Sequence, residues 1–299
     1  MIAVGEIKIR KVTVTLSQFD GDSRIDSFDV PLPTWGDTFE LVEVSFHPSQ
    51  LRVLDINEWR DRIASKHHVS GGALEQLLPP LLRDVDGLRA VDITRFPPFD
   101  FYAIQVAFGG IYYADERHPQ YRTRQASGFV SLNGIVFSED IEHFTQGGYL
   151  LFPYAGSPEL IRTKFISHED KMSPRQICDH QKQQCQPLNN YRLILQSKPV
   201  LVMDGKPEGD NNNNFRERRA AIAAYSADLA SFVVTEEEVT LREFSFLLAN
   251  LGVPLALNLD GKKSAQMVER RPNGSLHVWV GGEGADRMPQ VYAIMDAAQ

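Results

Sequence analysis

Cysteine is nearly missing from this 299-residue chain: only Cys178 and Cys185 occur, close together in a polar segment that also holds His180. Two thiols and one histidine fall short of finger-like metal spacing, so the pair reads as a small-loop disulfide or as two free thiols. Long apolar runs are also lacking. The most apolar stretch, Ala220 to Val234, is broken by Asp228 and is shorter than the roughly 20 residues a membrane-spanning helix needs. The opening residues, Met1 to Lys8, lack the apolar core and small-residue cleavage site of a secretory signal, so read alone they predict a cytoplasmic protein. Excess positive charge is absent too. Thirty-one Lys and Arg against 39 Asp and Glu leave a net charge of -8, which argues against nucleic acid or any other polyanion as a general partner.

What remains is ordinary globular composition, 42% apolar and 23% charged, in a chain long enough to bury a large core. Residues Ile7 to Leu16 alternate, with a one-residue shift at Lys11, and predict an opening strand with a bulge. Phe39 to Phe46 and Leu51 to Ile56 flank His47-Pro48-Ser49-Gln50 and read as a hairpin. Ser70 could cap a short helix over Gly71 to Leu78, before Pro79-Pro80. Strands are predicted at Phe101 to Phe108 and Ile111 to Tyr113, and a second hairpin over Tyr191 to Leu195 and Pro199 to Met203, closed off by Asp204-Gly205. The polar, glutamine-rich stretch from about 157 to 190 reads as a surface loop or insertion.

The clearest helix is Leu241 to Leu251. Thr240 and Glu243 form a capping-box pattern, Phe244, Leu247, Leu248 and Leu251 share one face, and Gly252 stands where a terminating glycine belongs. Val253 to Leu257 then form a short buried strand that delivers Asp260 onto an Asp-Gly turn. A carboxylate held rigidly at a strand exit suits an acid, a nucleophile or a metal ligand. Two further strands, Gln266 to Arg270 and Leu276 to Val280, flank Pro272-Asn273-Gly274, and a last strand follows Arg287. Hairpins outnumber parallel crossovers, so the predicted class is α+β, with mixed, largely antiparallel sheets and a few packed helices. His67-His68 and His143 match no ligand pattern, and Glu236-Glu237-Glu238 reads as a solvated strand end.

The unit from Thr240 to Ser264, a capped helix ending Leu251-Gly252, a buried strand and then Asn258-Leu259-Asp260-Gly261-Lys262-Lys263-Ser264, resembles the phosphodiester glycosidase family, whose hallmark there is Asn-Leu-Asp-Gly-Gly, a small residue and Ser. In order upstream, Ser131-Leu132-Asn133-Gly134-Ile135-Val136-Phe137 is similar to the family's Asn-Gly-Gly-aromatic-Phe segment. Leu201 to Lys206 is similar to its Leu-Val-x-Asp-Gly-Lys hairpin, Arg219 to Ala223 to its Arg-Thr-Ala-Val-Gly strand, and Arg287 to Gln290 to the segment before its final strand. The resemblance covers about 37 to 299, leaving 1 to 36 as an N-terminal strand extension. It departs from the pattern at Lys262, Ile135 and Ala223, each standing where the family has glycine. Such glycines supply positive φ or admit a ligand to the backbone, so their loss reshapes the pocket.

The resemblance implies hydrolysis of a sugar-1-phosphodiester at the anomeric C–O bond, through an oxocarbenium-like transition state. On that reading Asp260 stabilises the sugar cation, acts as nucleophile or orients water, Arg219 clamps the phosphate, and Asn133 holds sugar hydroxyls or a hard metal. Gly261, Lys262, Ser264, Gly134 and Arg287 line the substrate, and the second carboxylate comes from Glu139, Asp140 or Asp204. The resemblance fixes no cofactor, and a divalent cation such as Ca2+ is compatible with the donors. The implied partners are a phosphosugar, a nucleotide sugar or a glycan. The alternative is a non-catalytic relative that binds such a ligand after losing the double-glycine turns. Members of the family are commonly exported and include bacterial proteins linked to exopolysaccharide, which favours an extracytoplasmic location against the cytoplasmic reading above.

Overall fold

A computed structural model describes residues 6–18, 34–55, 89–91, 104–109, 128–138, 147–162, 166–167, 176–179, 184–208, 215–281 and 290–295. The fold they form is mostly β, which corrects the expected α+β class with several packed helices. Short strands paired antiparallel build four sheets, and one α-helix, Leu241–Asn250, packs on the largest. That sheet has seven strands in the order Lys8–Thr15, Thr38–Phe46, Leu229–Thr235, Ala220–Ser226, Leu255–Leu259, Val200–Met203 and Lys206–Pro207. Its central strands are buried on both faces. Ala220, Ile222, Ala224, Phe232 and Leu257 pack into the main core, while Ala221, Ala223, Val233 and Ala256 pack with Phe244, Leu247 and Leu248 of the helix. Two-residue periodicity divides the strand between two cores, and alanine at most of its positions admits close layers on either side.

A five-stranded sheet, in the order Leu276–Val280, Gln266–Arg270, Ile104–Gly109, Gln290–Met295 and Leu51–Asp55, covers the main core. The junction is aromatic. Phe232 stacks on Phe108 with centroids 4.3 Å apart and on Tyr292 at 5.1 Å, and packs against Phe46 at 5.2 Å. A second five-stranded sheet, Ile135–Ser138, Val130–Leu132, Tyr191–Ser197, Gly148–Pro153 and Glu159–Arg162, contributes Leu132, Leu150, Leu193 and Leu195 to the same core.

Several pairings depart from expectation. Thr38–Phe46 and Leu51–Asp55 are not a hairpin: a 3₁₀ turn at Pro48–Gln50, capped by His47, sends them into different sheets. Tyr191–Ser197 and Val200–Met203 likewise part, at the cis Lys198-Pro199 bond. The register of Lys8–Thr15 against Thr38–Ser45 runs without a bulge. The 157–190 stretch is not a plain loop but holds strands of its own, Ile166–Ser167, Gln176–Asp179 and Gln184–Pro187 making a three-stranded sheet whose register sets Cys178 opposite Cys185. The elements expected at 70–80 and 111–113, and His67, His68 and His143, lie outside the described residues.

Two local devices fix the elements around Asp260. Thr240 accepts from the Glu243 amide at 3.1 Å and its own amide donates to Glu243 at 2.7 Å, completing the capping box, and Gly252 takes φ 85 at the helix end. Thr240→Ala should cost about 1 kcal/mol, read as a fall in the denaturant midpoint without a change in slope. On the first strand, the guanidinium of Arg10 holds buried Glu43 at 2.6 Å, and Tyr225 donates to the same carboxylate at 3.0 Å. Burial, reinforced by the Glu43 charge, pushes the Tyr225 hydroxyl far above its ordinary pKa, so it stays a donor.

Candidate functional site

Asp260 leaves the sheet where expected, immediately after the central strand Leu255–Leu259. Its surroundings follow from register. Leu259 faces Ala220, and continuing that antiparallel count sets Asp260 beside Arg219, Gly261 beside Arg218 and Lys262 beside Glu217. The contacts agree with the count. The Lys262 amide donates to the Arg218 carbonyl at 2.9 Å, and the Lys262 ammonium lies 3.3 Å from the Glu217 carboxylate. Alternation turns Asp260 and Arg219 to the helix side of the sheet, away from Leu259 and Ala220 in the main core, and the Lys262 ammonium reaches Glu217 from the turn.

The turn itself explains two residue choices. A Cβ on Gly261 would stand 2.6 Å from the Arg218 carbonyl oxygen, so only glycine lets the two backbones approach. Gly261→Ala should therefore cost about 1–3 kcal/mol and weaken the site, measured as a lower midpoint of thermal unfolding. Lys262, by contrast, holds φ 55 without being glycine. A left-handed lysine costs on the order of 1 kcal/mol, and its ion pair with Glu217 is the visible compensation. Lys262→Gly should raise thermal stability slightly while removing the cation, the two effects being separable by melting and by phosphate binding.

Arg219 is buried at 3% exposure, so its role differs from that of a solvated clamp. Its Nε donates to the Val239 carbonyl at 3.2 Å, one terminal nitrogen to the Phe215 carbonyl at 2.7 Å and the other to Glu217. Arg216 in turn reaches Glu243 of the helix cap at 2.7 Å. The segment from Phe215 to Arg219 is thus pinned to the helix N-terminus, and Arg219 acts on the site by fixing Glu217. Asp260 is half-buried and accepts from the Gly261 amide at 3.0 Å. Ser264 is buried, and its amide closes the turn onto the Gly261 carbonyl at 3.0 Å.

Asn133 and Gly134 do form a tight turn, with φ 52 and 78, but the structure does not bring them to Asp260. The Asn133 amide donates to the carbonyl of Arg192, near the start of the strand Tyr191–Ser197. The other end of that strand, Ser197, is the one that touches Asn258, with its hydroxyl 2.5 Å from the Asn258 carbonyl. Five residues of strand, ~17 Å at about 3.3 Å each, separate the two ends. Asn133 belongs instead to a polar cluster in which Tyr154 donates to it at 3.0 Å, Arg192 lies over the Tyr154 ring, and buried His47 bridges Arg192 and Asp228. Asp204 is also remote, since its neighbour Gly205 bonds Pro254 at the opposite end of the Asp260 strand. Glu139, Asp140 and Arg287 lie outside the described residues.

Sequence reasoning also passed over Gly109. The Asp260 turn hands the chain to the strand Gln266–Arg270, where Gln266 faces Gly109. A signal for it was present in Gly109-Gly110-Ile111-Tyr112-Tyr113, a double glycine followed by an apolar and an aromatic residue. Phe108 precedes it, and that ring is buried in the aromatic stack. Glu217 was missed because its place depends on the register with Lys262.

Among the described residues no group of three or more His, Cys, Asp or Glu gathers as a metal site would. No helix among them is long and apolar enough to cross a membrane.

A profile of the phosphodiester glycosidase family matches residues 105–289. No curated protein matches the chain. Among solved structures, the catalytic domain of zebrafish N-acetylglucosamine-1-phosphodiester alpha-N-acetylglucosaminidase, auto-inhibited by its pro-peptide, is similar with a TM-score of 0.53 at 12% identity, over 99% of this chain and 87% of that one. A hypothetical protein from Synechocystis is similar with a TM-score of 0.52 at 16% identity, over 96% of this chain and 61% of that one. At such identities these likenesses speak for the fold alone.

Proposed function

The chain belongs to the phosphodiester glycosidase family, and we propose that it hydrolyses a sugar-1-phosphodiester at the anomeric C–O bond, using the Asp260 turn as its reaction centre. The observation that carries this reading is the ion-paired chain Arg219–Glu217–Lys262 beside the Asp260 turn, at the exit of a buried strand and inside the matched segment. Asp260 stabilises the positive charge that grows on the sugar ring as the C–O bond opens. The leaving phosphate monoester needs little protonation but needs its charge held, and the 74% exposed Lys262 meets it. Arg219 is a positioning residue that holds Glu217, and Gly261 keeps the turn closed on Arg218. Glu217 takes the place of Glu139, Asp140 and Asp204 as the proposed second carboxylate, standing beside the reacting centre.

A second reading, a phosphosugar-binding relative without turnover, is favoured by one observation: a lysine sits in the left-handed position. One experiment separates them. The full chain is incubated with a nucleoside diphosphate sugar and with an alkyl sugar-1-phosphodiester while free sugar and melting temperature are followed. Release of free sugar supports the hydrolase, stabilisation without release supports the binder, and neither signal contradicts both.

A further inference from the structure

One carboxylate is shared between two cations, which is unusual for a place meant to hold phosphate. Arg219 and Lys262 both meet Glu217, Arg216 nearby is matched by Glu243, and Arg218 and Lys263 stand next to them in the chain. Glu217 stands between the cations. Its Oε1 takes the Arg219 guanidinium, its Oε2 lies 3.3 Å from the Lys262 ammonium, and its side chain is only 13% exposed. An anion drawn to Lys262 therefore meets a fixed, poorly solvated negative charge on the far side of that ammonium. One negative charge can be accommodated by Lys262 leaving Glu217 partly for the ligand, whereas a second meets like-charge repulsion from Glu217, which the exposure of Lys262 weakens without removing. A phosphodiester carries a single charge, and a phosphate monoester carries between one and a half and two at neutral pH, with its second pKa near 6.

We propose that Glu217 is a specificity residue that makes this site accept monoanionic phosphodiesters and reject dianionic phosphate monoesters. The proposal rests on the functional reading above. Under that reading the site takes up its substrate and expels the monoester it has just produced, so product does not accumulate on Lys262.

The test uses the full chain and two probes without a glycosidic bond, dimethyl phosphate and methyl phosphate, with binding followed by phosphorus NMR line broadening. At pH 8 dimethyl phosphate should bind about tenfold more tightly than methyl phosphate. At pH 5, where methyl phosphate is also a monoanion, the gap should close. Glu217→Gln keeps an acceptor for Arg219 and should reverse the preference at pH 8; if that variant does not fold, the wild-type pH series still decides. Methyl phosphate binding as tightly as the diester at pH 8 overturns the proposal, and if the protein still releases sugar from a sugar-1-phosphodiester, the functional reading survives. No binding of either probe at either pH, together with no sugar release, overturns both.

Discussion

Asp260→Asn should lower sugar release from a sugar-1-phosphodiester by about 10²–10⁴-fold, the usual contribution of a positioned acid or base, and leave the fold nearly unchanged. The substitution is nearly isosteric. Its side-chain oxygen can still accept from the Gly261 amide, so the turn keeps its shape while the negative charge is lost. The loss should appear in kcat rather than in KM, because the charge matters most when the sugar becomes cationic. An Asn variant that retains wild-type turnover would move the reaction centre elsewhere on the protein.

Arg219→Leu should be the most damaging single change to stability, costing about 3–5 kcal/mol, because it leaves the Glu217 carboxylate poorly solvated beside a lost partner. Two backbone carbonyls, Phe215 and Val239, would lose a donor as well. Arg219→Leu combined with Glu217→Leu should recover much of that loss, since the buried charge goes with its partner. Both proteins would be compared by urea unfolding with sugar release measured alongside. If the single variant is as stable as the wild type, Arg219 is not the pin described here. If the double variant regains both stability and turnover, Glu217 has no part in the chemistry.

These expectations rest on geometry that was only partly legible in the amino-acid sequence. The Leu241–Asn250 helix could be read because its signals are local: Thr240, Glu243 and Gly252 lie within a few residues of the turns they cap. The Asp204-Gly205 and Asn133-Gly134 turns could be read for the same reason, with positive φ at both central positions of each. Strand pairing could not. Thr38–Phe46 and Leu51–Asp55 look like two arms of one hairpin, yet each finds its partner far along the chain. Apolar strands buried on both faces carry little register information of their own, so adjacency in sequence was a poor guide.

The same limit governs the site. Asp260 was legible because a buried strand running into Asp-Gly needs no partner to be recognised. Arg219 was legible by its likeness to a family segment, but its burial was not, because four charges in Arg216-Glu217-Arg218-Arg219 look like a solvated face. What buries Arg219 is the bridge between Glu217 and Val239 and the tie of Arg216 to Glu243, the latter made by a residue 27 positions on. The Asn133 turn was legible from its motif, whereas its partners, Tyr154 and the Arg192 carbonyl, depend on strand pairing.

The central claim is that water replaces phosphate at the sugar, not sugar at phosphorus. It is tested most directly by running the hydrolysis of a sugar-1-phosphodiester in ¹⁸O-water and weighing both products. The account predicts the label in the anomeric hydroxyl of the released sugar, with none in the phosphate monoester. Label in the phosphate would mean that the P–O bond breaks, and would contradict the assignment of Asp260 to a glycosyl cation.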